Sequence, residues 1–327
     1  MTSPAYLGLD IAKCKFDAAL LHQPGRCAHH QFPNSQEGFA QLALWLQRHV
    51  TGPLYVCMEA TGTYGDAVAL FLHQQGHRVS VVNPARIKAF GQSELSRTKT
   101  DKADAALIAR FAQSAEAKLR PWAPLPPEHR QLQALVRRLE AVQRMRQQER
   151  NRLDLESPDS LVAESLRQHL AYLEEHIRQL QQQLRAHVRA HPSLQQQTDL
   201  LQSIPGIGLT TALNVLSEIP DLAQWPSARQ AAAYAGLTPR HRESGSSVRG
   251  RPRLSKIGNP RLRRALYLPA VVAMRANPIL HAFAARLLAA GKPKMAVVGA
   301  VMRKLLHQAY GVLKHATPFN PNLEVAT

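Results

Sequence analysis

The chain has 327 residues, enough for two domains plus a connector and for a sizeable buried core. Hydrophobic residues make up 45% of it, which excludes a disordered protein, and 41 Lys and Arg against 23 Asp and Glu leave a formal charge of +18, which points to a polyanionic partner, nucleic acid first. No apolar run approaches the roughly 18 residues of a membrane span, and the N-terminus MTSPAYLGLD carries no signal-peptide pattern. Cys14, Cys27 and Cys57 have no CxxC spacing, which argues against a disulfide framework or a zinc ribbon and for a reducing cytoplasm. No HExxH pattern occurs among the 15 histidines, and none is assigned to a metal.

In chain order, Tyr6 to Ile11 reads as a strand ending in an acid, Phe16 to Leu21 as its hairpin partner and His29 to Phe32 as a third strand. Ser35 to His49 has helical periodicity with Ser35 as cap. Leu54 to Met58 is a buried strand followed by Glu59. A helix over Asp66 to Gln75, a strand over Arg78 to Val82 stopped by Asn83-Pro84, and a helix over Asp101 to Ser114 complete an α/β order. Pro121 to Arg130 (PWAPLPPEHR) marks a boundary. Two long helices follow. The first has a stripe of Leu132, Leu135, Leu139, Val142 and Met145, and the second a heptad seam of Leu166, Leu170, Leu173, Ile177, Leu180 and Leu184. The seam fits either a helical hairpin within one chain or a dimerising coiled coil. From about Ser203 the chain reads as helical and Arg-rich. The expected divisions are 1–118, 119–195 and 196–327.

Four acids stand out. Asp10 (GLDIAK) and Glu59 (CMEATGTY) each follow an apolar strand, while Asp101 and Asp104 (RTKTDKADA) share one face where a helix begins. Acids at strand ends of an α/β sheet collect at one edge. Such a cluster suits Mg²⁺ or Mn²⁺, and two such ions can hold the oxygens of a phosphodiester during displacement. A helix-start acid such as Asp101 is equally explained as a dipole partner.

Leu201 to Ile219 (LQSIPGIGLTTALNVLSEI) has the form helix, PGIG turn, helix. Gly206, Gly208 and Thr210, with Ser203 nearby, suit close backbone approach to a phosphate; the plainer alternative is an ordinary helical hairpin. From Arg240 to Arg264 nine cationic residues, among them Arg242, Arg249, Arg251, Arg253 and Lys256, face the single acid Glu243. Ser244, Ser246 and Ser247 sit among them in ESGSSVRGRPR, as nucleophiles stabilised by guanidinium groups or as phosphate caps.

The set GLDIAK, MEATGTY, VVNPARIKAF and RTKTDKADA, followed by AGLTPRHRESGSSVRGRPRLSKIGNPRLRRALY, resembles the DEDD insertion-sequence transposases, bridge-RNA-guided recombinases related to the Piv-type invertases. The resemblance covers nearly the whole chain. It implies an RNase H-like, RuvC-like N-terminal domain with Asp10, Glu59, Asp101 and Asp104 as its metal-binding acids, a helical coiled-coil connector, and a mainly α transposase domain. It also maps the serine nucleophile onto Ser244 and implies phosphate neutralisation by Arg249, Arg251 and Arg242. Further implications are a tetramer of two dimers with composite active sites, a structured guide RNA pairing with donor and target DNA, a phosphoserine intermediate and a Holliday-type junction. Two rival readings are a junction-selective metal nuclease, for which Ser244 is irrelevant, and a non-catalytic nucleic-acid-binding protein.

Overall fold

The computed structural model describes residues 4–23, 26–60, 62, 64–95, 100–244 and 248–322; the side chains of residues 23, 241–244 and 248–252 lie outside that description. The chain divides into two compact units, Met1–Pro124 and Leu125–Thr327.

In the first unit β1 (Tyr6–Ile11), β2 (Lys15–Gln23) and β3 (Arg26–Pro33) form an antiparallel meander. On the other side of β1, β4 (Tyr55–Glu59) and β5 (Arg78–Val82) add in parallel, giving the sheet order β3-β2-β1-β4-β5. Strand alternation sorts the side chains into two faces. Leu7, Leu9, Phe16, Ala18, Leu20, Val56 and Met58 pack with Phe39, Leu42 and Leu46 of α1 (Gln36–Gln47) and Val68 and Leu72 of α2 (Asp66–Gln74). The opposite face, with Tyr6, Gly8, Ala19 and Cys57, lies under α4 (Asp101–Ala115) and its Ala105, Leu107, Ile108, Ala109 and Phe111.

The expected elements are present with ends shifted by at most three residues, and one α-helix is additional. Asn83-Pro84 stops β5 as expected but also starts α3 (Pro84–Ser93), because the Asn83 side chain accepts from Ala85 N at 2.9 Å and Pro84 sits where a missing N–H costs nothing.

The second unit is mainly helical. α5 (Pro127–Leu153) and α6 (Leu161–Ala190) form a hairpin whose seam, Leu173, Ile177, Leu180, Leu184 and Val188, is buried with Leu132, Val136, Leu139 and Val142 in one core. That core continues through α7 (Pro192–Gln202), α8 (Leu209–Glu218), α9 (Ala228–Tyr234), α10 (Pro260–Ala265), α11 (Tyr267–Ala276), α12 (Pro278–Ala289) and α13 (Lys294–His315). From Leu173 onward the heptad seam is therefore filled within the chain; Leu166 and Leu170, at its start, are half-buried and lie outside that core. Met145, expected on the α5 stripe, is exposed. The Arg-rich stretch, part of the region read as helical, contains two antiparallel strands, β6 (Pro239–Ser244) and β7 (Val248–Leu254).

Candidate functional site

The acids of the first unit are placed by register and by α4. β1 and β4 pair in parallel from Tyr6 with Tyr55 to Leu9 with Met58, so Asp10 and Glu59 follow the last pair at the same edge. Both alternate with Gly8 and Cys57 and so occupy the α4 face. A Cβ on Gly8 would overlap Ala105 O and Ala109 N, so the glycine lets the α4 backbone rest directly on β1. At the far end of α4, Glu116 Oε2 accepts from Tyr6 OH at 2.5 Å, and the Tyr6 and Tyr55 rings stack at 5.5 Å. The last turn of α4 thus sits over the strand starts, and its first turn over the strand ends. There Thr100 caps the helix, accepting from Ala103 N at 3.2 Å, and Asp101 and Asp104 occupy the first turn.

Electrostatics follow from this gathering. Burial, then the charges of Asp104, Asp101 and Asp17, raise the Asp10 pKa against the opposing pull of the Ile11 N–H. Burial, then Asp10 and Asp104, raise that of Glu59. Asp101 is exposed and paired to Lys15 Nζ at 3.0 Å. Among the described residues no three His, Cys, Asp or Glu side chains converge closely enough to grip an ion as they stand. The acids are electrostatic neighbours. As hard oxygen donors gathered with like charge, they fit a divalent cation in chemistry.

Two members of this edge were not singled out from the sequence. Asp17 lies directly opposite Asp10 across β1 and β2, is 3% exposed, and accepts from Gln31 Nε2 at 2.9 Å while its other oxygen lies 2.8 Å from His29 Nε2. Lys15 is two residues earlier on the same face of β2. An acid and a lysine at period two in KFDAALLHQ are the available signal, but their proximity to Asp10 needs the pairing register.

In the second unit the PGIG turn joins α7 and α8 as expected, but its two glycines do different work. Gly206, at φ +105°, meets Ala273 and the Pro269 carbonyl of α11, so it is committed to packing. Gly208 begins α8 with no side-chain cap and open space around it, and Thr210 is exposed in the first turn. Ser203 is spent on Phe319 N, which donates to its Oγ at 2.8 Å. Ser244 ends β6, paired in register with Val248; Ser246 and Ser247 lie outside the described residues. Arg242, Arg249 and Arg251 are placed only by backbone, in the two strands; Arg253, exposed, pairs with Arg240 near the end of β7, and Lys256, also exposed, follows the strand. The four acids belong to one unit and Ser244 to the other.

Comparison with known proteins fits both halves. A DEDD transposase model of the IS110 type matches residues 7–155, and one for the IS116/IS110/IS902 transposase family matches residues 198–285. The pilin gene-inverting proteins of Moraxella bovis and Moraxella lacunata are each 36% identical to this chain, covering 98% of it and 99% of their own length. The transposase for insertion sequence element IS1328 of Yersinia enterocolitica is 26% identical, covering 84% of this chain and 85% of its own. With both family regions in order and full-length relatives at this identity, the chain belongs to the IS110/IS116/IS902 family of DEDD transposases.

Proposed function

We propose that this protein is a DNA recombinase that excises and inserts a mobile element, or inverts a DNA segment, by metal-dependent serine attack guided by a structured RNA. The observation that carries the reading is the collection of Asp10, Glu59, Asp101 and Asp104 at one sheet edge in a chain of this family. The meander-plus-two-parallel-strands order supports an RNase H-like, RuvC-like first unit. Mg²⁺, with Mn²⁺ as substitute, would be held by these acids and would supply charge neutralisation at a phosphodiester.

The chain's own residues do the rest. Ser244 Oγ attacks phosphorus, the phosphoserine bond forms, and the deoxyribose hydroxyl leaves; a hydroxyl from the exchanging strand reverses the step and frees the serine. Arg242, Arg249 and Arg251 neutralise the phosphate, with Arg253 and Lys256 extending the basic track. The uncapped start of α8 at Gly208, with Thr210, grips a backbone phosphate, whereas Gly206 holds the turn in place. The guide RNA and a tetramer of two dimers belong to the same reading, the tetramer built through surfaces other than the buried stretch of the α6 seam from Leu173 to Val188. Inversion is the second outcome, favoured by the full-length similarity to the pilin gene-inverting proteins.

An excision or inversion assay in cells carrying the locus tests the reading. Asp10→Asn and Ser244→Ala should each reduce recombination to background while leaving nucleic-acid binding intact. Recombination at the wild-type level in Ser244→Ala would defeat the serine step. A discrete RNA from the element's flank should co-purify with the protein; bulk RNA alone would defeat guidance.

A further inference from the structure

Four acids at one edge need a counter-charge before any ion or DNA arrives. Among the described residues, the one ion pair made by Asp10, Glu59, Asp101 or Asp104 is Lys15 Nζ to Asp101 Oδ2 at 3.0 Å. The pair is reached from two elements, the start of β2 and the first turn of α4. Both side chains are about half exposed, 45% for Lys15 and 59% for Asp101, so the pair can open without dismantling a core. The field of Asp17 and Asp10 also acts on the same ammonium. Asp17 cannot turn away, because it is buried and held by His29 and Gln31. By contrast Asp10 and Glu59 make no ion pair among the described residues, and burial and neighbouring acids raise both carboxyls.

We infer that Lys15 is the site's built-in placeholder: its ammonium occupies the Asp101 carboxylate in the metal-free protein and must give it up when a divalent cation binds. The inference rests on the metal-site reading above. Lys15 acts through Asp101 and is a positioning residue. The placeholder limits repulsion while the site is empty, keeps the start of α4 against β2, and sets how readily a divalent ion enters. A fixed pair of this kind competes with the ion directly, since both need the same oxygens.

The test is Mn²⁺ binding to the full-length protein without DNA, read by electron paramagnetic resonance and by titration calorimetry. Lys15→Met, with Lys15→Gln as its polar repeat, should bind Mn²⁺ about fivefold more tightly, the effect of removing one competing unit charge near a half-exposed ion. Lys15→Arg should match the wild type. A merely structural tie would instead leave Mn²⁺ affinity unchanged or weaker in Lys15→Met and Lys15→Gln, while lowering the melting temperature. That result, with wild type binding Mn²⁺ and Asp10→Asn failing to, overturns the placeholder and leaves the metal site standing. Absence of Mn²⁺ binding by the wild type overturns both.

Discussion

Asp10 and Glu59 carry carboxyls that burial and neighbouring acids hold above the ordinary range, and this has a thermodynamic sign. Between the ordinary and the raised pKa the folded state binds more protons than the unfolded one, so stability falls as pH rises through that window. The metal-free protein should therefore melt at a higher temperature as pH is lowered from neutral into mild acid. Asp10→Asn should raise the melting temperature at neutral pH, and Mn²⁺ should erase the difference; a destabilised Asp10→Asn would contradict the repulsion. Glu116 has the opposite sign. Hydrogen bonds from Tyr55 and Tyr6 hold its carboxyl below the ordinary value, so its contribution is present above that value and is lost as pH falls through the lowered one. At this scale the four acids are legible in the sequence because each ends an apolar strand or starts a helix. Lys15 and Asp17 are not, because only the register of β1 with β2 and the reach of α4 bring them to Asp10.

Among elements, α4 depends on Gly8 for its seat, and through that seat on the position of Asp101 and Asp104. Gly8→Val would drive a branched side chain into the helix backbone. It should cost at least about 1–3 kcal/mol in urea unfolding and should reduce Mn²⁺ affinity with it, because α4 must lift. A change under 0.5 kcal/mol would contradict direct seating. In the second unit, Asn277 caps α12 and its Nδ2 donates to Gln308 Oε1 at 3.0 Å, both side chains buried. Asn277→Leu should cost about 1–3 kcal/mol by stranding the Gln308 amide and removing the cap, measured by the same unfolding. The long helices and their seam are legible because period 3.5 in Leu and Ile survives in a polar background; what the seam meets is not, since an intrachain hairpin and a dimer bury the same stripe. β6 and β7 are invisible to pattern reading. PRHRES and VRGRPRL show no apolar alternation, and Pro252 within β7 reads as a breaker. The helix α3 is missed for a related reason: Asn-Pro ends one element and begins the next with the same two residues.

For the whole molecule, a charge of +18 and two compact units fit a protein that holds a polyanion. Nucleic-acid affinity should fall by orders of magnitude between about 50 and 200 mM salt, with a log–log slope set by the phosphates contacted. Weak salt dependence would mean that the basic surface is not the binding face. The α/β-then-helical order is legible from the sequence, and α5 and α6, which read as a connector, share their core with the helices that follow. Strand transfer through a serine is chemistry that neither the charge nor the fold supplies alone. The most direct test is to incubate the full-length protein and its co-purified RNA with DNA spanning the element's ends in Mg²⁺, denature, and look by mass spectrometry for DNA covalently joined to a serine. An adduct at Ser244 is expected in the wild type and none in Ser244→Ala or Asp10→Asn. Cleaved DNA without any adduct, with cleavage undiminished in Ser244→Ala, would contradict it and leave a metal nuclease acting through water.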